Sequence, residues 1–233
     1  KRQGLKGNTN ISSKVLENDI SGLTLEINGH EMTSRLVGRF NAYNLLVAFA
    51  VGKYLGQDEL SLLTILSSVK APQGRFEYFL SDHKITAVID YAHTPDALEN
   101  VLKTLLDLKK GTEKLITVFG CGGNRDKGKR PLMGEIASRL SDQVLITSDN
   151  PRNEDPDSII NEIYHGVPSV LKEKVFTVTD RMEAIEMACK MASAGDVILI
   201  AGKGHENYQI IGNESLHFDD MENTIHIFKK LKK

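Results

Sequence analysis

Val197-Ile198-Leu199-Ile200-Ala201-Gly202-Lys203-Gly204-His205-Glu206 is the stretch on which the fold turns. Its apolar first half reads as a strand, and the polar, glycine-bearing half behind it reads as a loop. The same phrase recurs upstream. Ile85–Asp90 runs into Tyr91–Pro95, Leu115–Phe119 into Gly120–Arg130, and Gln143–Thr147 into Ser148–Pro156. Val175–Thr177 reads as a further short strand. Helical patterns fill the intervals, and this alternation indicates an α/β fold with a largely parallel sheet. In open sheets of this kind ligands bind outside the carboxyl ends of the strands. The four loops are therefore expected on one crevice.

One helix starts with Thr94 as its cap and Pro95 at its first position, with Gly111 past its end. Others cover about Leu132–Leu140, Ser158–Tyr164 and Arg181–Met191, the last opened by a capping-box-like Asp180 and Glu183. A hairpin turning at Gly212-Asn213 and a helix near Met221–Leu231 close the sequence, and Lys229–Lys233 reads as a solvated helix end. Nearer the start, Leu23–Ile27 alternates and Asn28-Gly29 is a hairpin signal. Helices are expected from Asn41 to Leu55, stopped by Gly56, and from Asp58 to Val69. Ala71-Pro72-Gln73-Gly74 breaks the pattern. The expected organisation is a first part over 1–70, a hinge at 71–74 and a larger domain over 75–233.

Composition narrows the function classes. With 40% hydrophobic and 26% charged residues among 233, this is an ordinary globular chain with length for one or two cores. A net charge of -2 provides no basic field for nucleic acid. Cys121 and Cys189 form no CxxC pair, which argues against a disulfide framework or zinc site and fits a reducing cytoplasm. No signal peptide and no apolar run suited to membrane insertion is evident. The sequence opens Lys1-Arg2-Gln3 without Met, which suggests a piece of a longer protein.

Four segments can carry chemistry. Gly120–Arg130 is glycine-rich and basic, suited to a carboxylate or phosphate, or else a basic surface loop. Gly123, four residues, then Gly128-Lys129 nearly makes a P-loop, but Arg130 stands where Ser or Thr should hold magnesium. In Asp149-Asn150-Pro151-Arg152 the proline stiffens a loop that presents Arg152. A guanidinium there either pairs with a carboxylate or is an exposed arginine in a turn. Gly202–Glu206 offers Glu206 to an ammonium, with His205 a ligand contact, a base or a surface residue. Asp90 ends a strand where acids of nucleotide folds accept ribose hydroxyls, while His93 and Asp96 can equally serve the helix start.

Taken together, DYAHTPDAL (Asp90–Leu98), FGCGGNRDKGKRPLMG (Phe119–Gly134), SDNPRNEDP (Ser148–Pro156) and AGKGHENYQ (Ala201–Gln209) resemble the Mur ligase family of peptidoglycan synthesis, the MurE type, in the same order. GRFNAYNLLVAFAV (Gly38–Val51) and APQGRFE (Ala71–Glu77) resemble that family's hinge region. The resemblance implies a Rossmann-like carboxyl-terminal ligase domain with a terminal hairpin, preceded by the tail of the central ATPase domain. It implies ATP and Mg2+ as cofactors, with the P-loop, magnesium ligands and modified lysine upstream. It also implies meso-diaminopimelate and the UDP-N-acetylmuramoyl-dipeptide as substrates, and a cytoplasmic monomer.

By the same resemblance Asn41, Asn44, Arg75 and Asp90 belong to the ATP site. Arg125, Asp149, Asn150, Pro151, Arg152, Gly202 and Glu206 belong to the amino-acid site. No residue of this chain is singled out as catalytic, and no turnover is expected from it alone. Arg152 would meet the second carboxylate that distinguishes diaminopimelate from L-lysine, with Glu206 and the Gly202 carbonyl on the far ammonium. Competing readings are a lysine-adding or folylpolyglutamate-type ligase and, in another class, a non-catalytic nucleotide- or anion-binding module.

Overall fold

The computed structural model describes residues 11–109 and 111–233. The opening Lys1-Arg2-Gln3 and the start of the expected first part lie outside the described residues. Contacts divide the chain into two units, with the break between Ala71 and Pro72.

The first unit holds a three-stranded antiparallel sheet, β1 (Ser13–Asp19), β2 (Gly22–Ile27) and β3 (His30–Ser34), in that order. Asn28 and Gly29 both take positive φ between β2 and β3, as a two-residue hairpin turn requires. Helix α1 spans Arg39–Tyr54, and Gly56 just beyond it has φ 79°. Helix α2 (Glu59–Ser67) is capped by Asp58, whose side chain accepts the Ser61 N–H. Leu23, Leu25 and Ile27 pack with Leu45 and Phe49 of α1 and Leu63 of α2 as this unit's core.

The second unit is built on a six-stranded sheet. Its strands are β4 (Glu77–Leu80), β5 (Thr86–Asp90), β6 (Leu115–Phe119), β7 (Gln143–Ile146), β8 (Val175–Thr177) and β9 (Val197–Ala201). The order across the sheet is β4-β5-β9-β6-β7-β8, parallel except for the β4–β5 pairing. Side chains alternate between faces. Ile116, Val118, Ile198 and Ile200 pack with α6 (Arg181–Met191) and α7 (Asp220–Leu231). Helices α3 (Pro95–Leu108), α4 (Lys129–Leu140) and α5 (Pro156–His165) pack on β9 and β7 and on one another. A separate hairpin, β10 (Tyr208–Ile211) and β11 (Glu214–His217), turns at Gly212.

Several expectations need correction. Strand β4 did not announce itself, because Glu77-Tyr78-Phe79-Leu80 is a short, half-exposed edge. Helix α4 begins at Lys129, inside the basic loop rather than after it. The lysine-rich end is also not merely solvated. Lys233 Nζ donates to the carbonyls of Cys189, Lys190 and Ala192 at the end of α6, and Lys230 pairs with Glu186. Among the described residues no helix is long and apolar enough to cross a membrane.

Candidate functional site

Beyond the carboxyl ends of β5, β6, β7 and β9 lies a cleft of about 350 Å³. All four strand-following loops reach it. Tyr91, His93 and Thr94 line one side; Gly120, Cys121, Gly122, Arg125, Asp126 and Lys129 another; Asp149, Asn150 and Arg152, with Gly202 and Glu206, close the rest. The structure thus gathers Arg125, Asp149, Asn150, Arg152, Gly202 and Glu206. Pro151 is buried behind the lining, where its carbonyl accepts the Glu154 N–H.

The Asp149–Arg152 loop is held by the terminal hairpin. Arg152 N–H donates to Ile210 O at 3.0 Å, and Gly212 N–H donates back to Arg152 O at 2.7 Å. Ile210 N–H reaches Asn150 Oδ1 at 2.9 Å, and Gln209 Nε2 reaches Asp149 O at 2.8 Å. Arg152 sits at φ 53°, a left-handed conformation that non-glycine residues adopt at a cost. Its guanidinium is anchored through Nη1 to Gly123 O at 3.1 Å and Asn150 O at 3.3 Å. A side chain at Gly123 would overlap the Pro151 carbonyl, so glycine lets the two loops touch.

Two acids, Glu206 and Asp149, share the cleft with Arg152. Asn150 Nδ2 donates to Glu206 Oε2 at 2.9 Å. Asp149, 7% exposed, has Oδ1 3.1 Å from the Nζ of Lys203, an ion pair rather than an aligned hydrogen bond. Lys203 is wholly buried, and its burial pushes its pKa down while Asp149 draws it back up. Below lies a second buried pair, Arg181 with Asp220 at 2.7 Å, whose Nη2 also reaches Ala201 O. The basic loop is pinned by Arg130, fully buried against Glu154 and Glu162. Glu154 also accepts the Asn124 N–H; Arg130 is the main reason its carboxyl is held at about 2.

The remaining expected residues fall elsewhere. Arg75 lies over the Tyr91 ring, 4.7 Å from its centroid. Asp90 accepts the N–H groups of Phe76 and Ala92, both at 2.8 Å, and burial raises its pKa. Its carboxylate thus braces the backbone around the cleft edge. Asn41 and Asn44 belong to the first unit, on the opening turns of α1, where Asn44 Nδ2 donates to Asn41 Oδ1. Cys121 is buried and its thiol is pushed up to about 12 by that burial, so it is no nucleophile. Among the described residues no group of three or more His, Cys, Asp or Glu side chains could hold a metal.

Sequence reasoning gave no role to Lys203, Arg130, Arg181 or Tyr91. The signal for Lys203 was present: a lysine between two glycines directly after an apolar strand. Arg130 drew notice only as the residue that spoils a P-loop.

The cleft gathers both cations and anions in its lining, an arrangement suited to a ligand with both carboxylate and ammonium groups. The chain is similar to several known proteins. The 2,6-diaminopimelate ligase of Cytophaga hutchinsonii, acting by name on UDP-N-acetylmuramoyl-L-alanyl-D-glutamate, is 51% identical over 210 residues. The match covers 90% of this chain and 43% of the relative, so the chain spans less than half of that relative's length. A solved structure of a ligase of the same name aligns with TM-score 0.73 and 37% identity, covering 98% of this chain and 47% of that one. A folylpolyglutamate synthase of Mycobacterium tuberculosis, complexed with ADP and AMPPCP, shares the fold at 22% identity and TM-score 0.62, covering 82% and 45%. Residues 74–204, more than half the chain, match the family described as Mur ligase, glutamate ligase domain. With that family model over more than half of its length, the chain belongs to the Mur ligase family.

Proposed function

We propose that the second unit is the amino-acid-binding part of an ATP-dependent ligase that joins meso-diaminopimelate to UDP-N-acetylmuramoyl-L-alanyl-D-glutamate. ATP phosphorylates the γ-carboxylate of the D-glutamate, the amine of the incoming amino acid attacks the acyl phosphate, an amide forms and phosphate leaves. The observation that carries this reading is that the anchored Arg152 guanidinium and the Glu206 carboxylate line one cleft. Nη1 is tied to two backbone carbonyls, and among the described residues no hydrogen bond engages Nη2. That edge suits a carboxylate, while Glu206 and the Gly202 carbonyl suit an ammonium.

Arg125 then takes the second carboxylate at the other end of the amino acid. Holding the nucleophile in place supplies much of such catalysis. Arg75, with Asp90, Asn41 and Asn44, would serve the nucleotide; the fold neighbour solved with ADP and AMPPCP supports a nucleotide at this fold. Mg2+ would be held by ligands of the central ATP-binding domain upstream. Residues up to Lys70 would be the tail of the central ATP-binding domain. The hinge would be residues 71–74, and the Gly74 N–H donates to Glu77 of the second unit. A cytoplasmic setting follows from the nucleotide and UDP-sugar substrates.

Calorimetry on the 233-residue chain with meso-diaminopimelate and with L-lysine tests the assignment. Diaminopimelate is expected to bind at least roughly tenfold more tightly, a difference of about 1.4 kcal/mol. Equal affinities would defeat the assignment, and ligation of the UDP-dipeptide by this chain alone would defeat the division of labour.

A further inference from the structure

Lys203 is the largest feature of the site that the ligand reading leaves unused. It is 0% exposed, so it touches no ligand. Its Nζ lies 3.1 Å from Asp149 Oδ1, and it donates to Asn150 Oδ1 at 3.0 Å and Tyr208 O at 2.8 Å. The ammonium thus donates two hydrogen bonds and keeps its ion pair with Asp149. Because an ammonium can only donate, Asn150 must turn its carbonyl oxygen toward Lys203. The Ile210 N–H to the same oxygen imposes the same choice. Nδ2 is then left pointing at Glu206, where it donates to Oε2.

Lys203 also sets a charge balance. At this end of the cleft Asp149 and Glu206 are the anions, and Arg152 and Lys203 are the cations. The four sum to zero. A ligand end that carries one ammonium and one carboxylate is also neutral and finds one uncompensated anion, Glu206, and one uncompensated cation, Arg152. Without Lys203 two anions would face one cation, a setting that favours a lone ammonium.

We propose that Lys203 is a specificity-determining positioning residue, which cancels the charge of Asp149 and orients Asn150 so that the cleft prefers a zwitterionic side-chain end over a bare ammonium. This rests on the amino-acid-site reading above. The test is calorimetry of the 233-residue chain with meso-diaminopimelate and L-lysine for wild type, Lys203→Met, and the double variant Lys203→Met/Asp149→Asn.

In Lys203→Met the ratio of diaminopimelate to lysine affinity should fall at least about tenfold, as expected for a close charge pair left half-made. In the double variant, which carries no uncompensated buried charge, the ratio should return to within about threefold of wild type even if both affinities drop. Equal weakening of both ligands in a folded Lys203→Met protein would show a merely structural role and overturn the proposal. If the single variant does not fold, the double variant decides alone, and a ratio displaced toward lysine overturns the proposal. A wild-type chain that binds neither amino acid overturns the ligand reading itself and takes this proposal with it.

Discussion

Replacing Arg152 by alanine removes the guanidinium proposed to meet the ligand's distal carboxylate. Arg152 is half-buried, and two backbone carbonyls already fix its orientation through Nη1. Little ordering therefore remains to be done when a ligand arrives. Losing one partner of a desolvated charge pair costs about 2–5 kcal/mol. Partial exposure places this contact low in that range, at about 2–3 kcal/mol, or roughly 30- to 150-fold in Kd. The backbone supplies a control. At φ 53° alanine is strained as arginine is, whereas glycine is not. Arg152→Gly should therefore be more stable than Arg152→Ala by about 1 kcal/mol while losing the same affinity. Calorimetry reads the affinity, and thermal melts read the stability. L-Lysine has no second carboxylate and should change by less than about threefold. Loss of lysine binding in parallel with diaminopimelate, or no loss of either, would refute the pairing of Arg152 with the distal carboxylate.

Acid should loosen the basic loop through Glu154. Its carboxyl is held at about 2, first by Arg130 and then by the Asn124 N–H, against an unfolded value near 4.5. A depressed carboxylate pKa contributes stability that is complete above about pH 4.5 and disappears as pH falls toward 2. Urea midpoints measured across that window should decline more steeply in wild type than in Glu154→Gln; equal slopes would contradict the assignment. Gly123→Ala should destabilise the second unit by about 1–3 kcal/mol and weaken diaminopimelate binding, because the new methyl would meet the Pro151 carbonyl. An unchanged melting temperature together with unchanged affinity would show that the two loops do not need their close approach. Cys121 and Cys189, both buried with thiols pushed up to about 12, should resist a thiol reagent at pH 8 until the chain is unfolded. Prompt labelling of the native protein would count against that burial.

The strands that carry the site were legible because each is a compact apolar run. Leu115–Phe119 and Val197–Ala201 were placed residue for residue, and their buried patterns reflect cover on both faces. Edge elements were not legible. Strand β4 alternates between half-buried and exposed residues, but its exposed positions are the apolar Tyr78 and Leu80, so its sequence carries no clean polar–apolar alternation. The boundary of α4 was missed for another reason. Lys129 and Arg130 look like loop cations, but Arg130 points inward to Glu154 and Glu162, and no local pattern announces a partner 24 or 32 residues away. The terminal hairpin was foreseen as a hairpin, yet its hold on Asn150 and Arg152 depends on contacts across 60 residues, beyond the reach of any spacing rule.

Buried ions make poor stabilisers, because desolvation offsets most of their attraction and apolar side chains of similar volume would usually do as well. The core under the sheet is accordingly apolar, built from residues such as Ile116, Ile198, Ala188 and Phe228. The fully buried cations among the described residues, Arg130, Arg181 and Lys203, lie close to the strand ends instead. Each reaches a backbone carbonyl near the cleft: Gly122 O for Arg130, Ala201 O for Arg181 and Tyr208 O for Lys203. Each also pairs with an acid from a different element: Glu154, Asp220 and Asp149. Hydrophobic contact is not directional and cannot aim a carbonyl or hold a carboxylate at a set angle. Charged hydrogen bonds can. The placement of these pairs is therefore better explained by the orientation they impose on the loops than by stability, and it is why the lining groups of the cleft can be fixed before any ligand arrives.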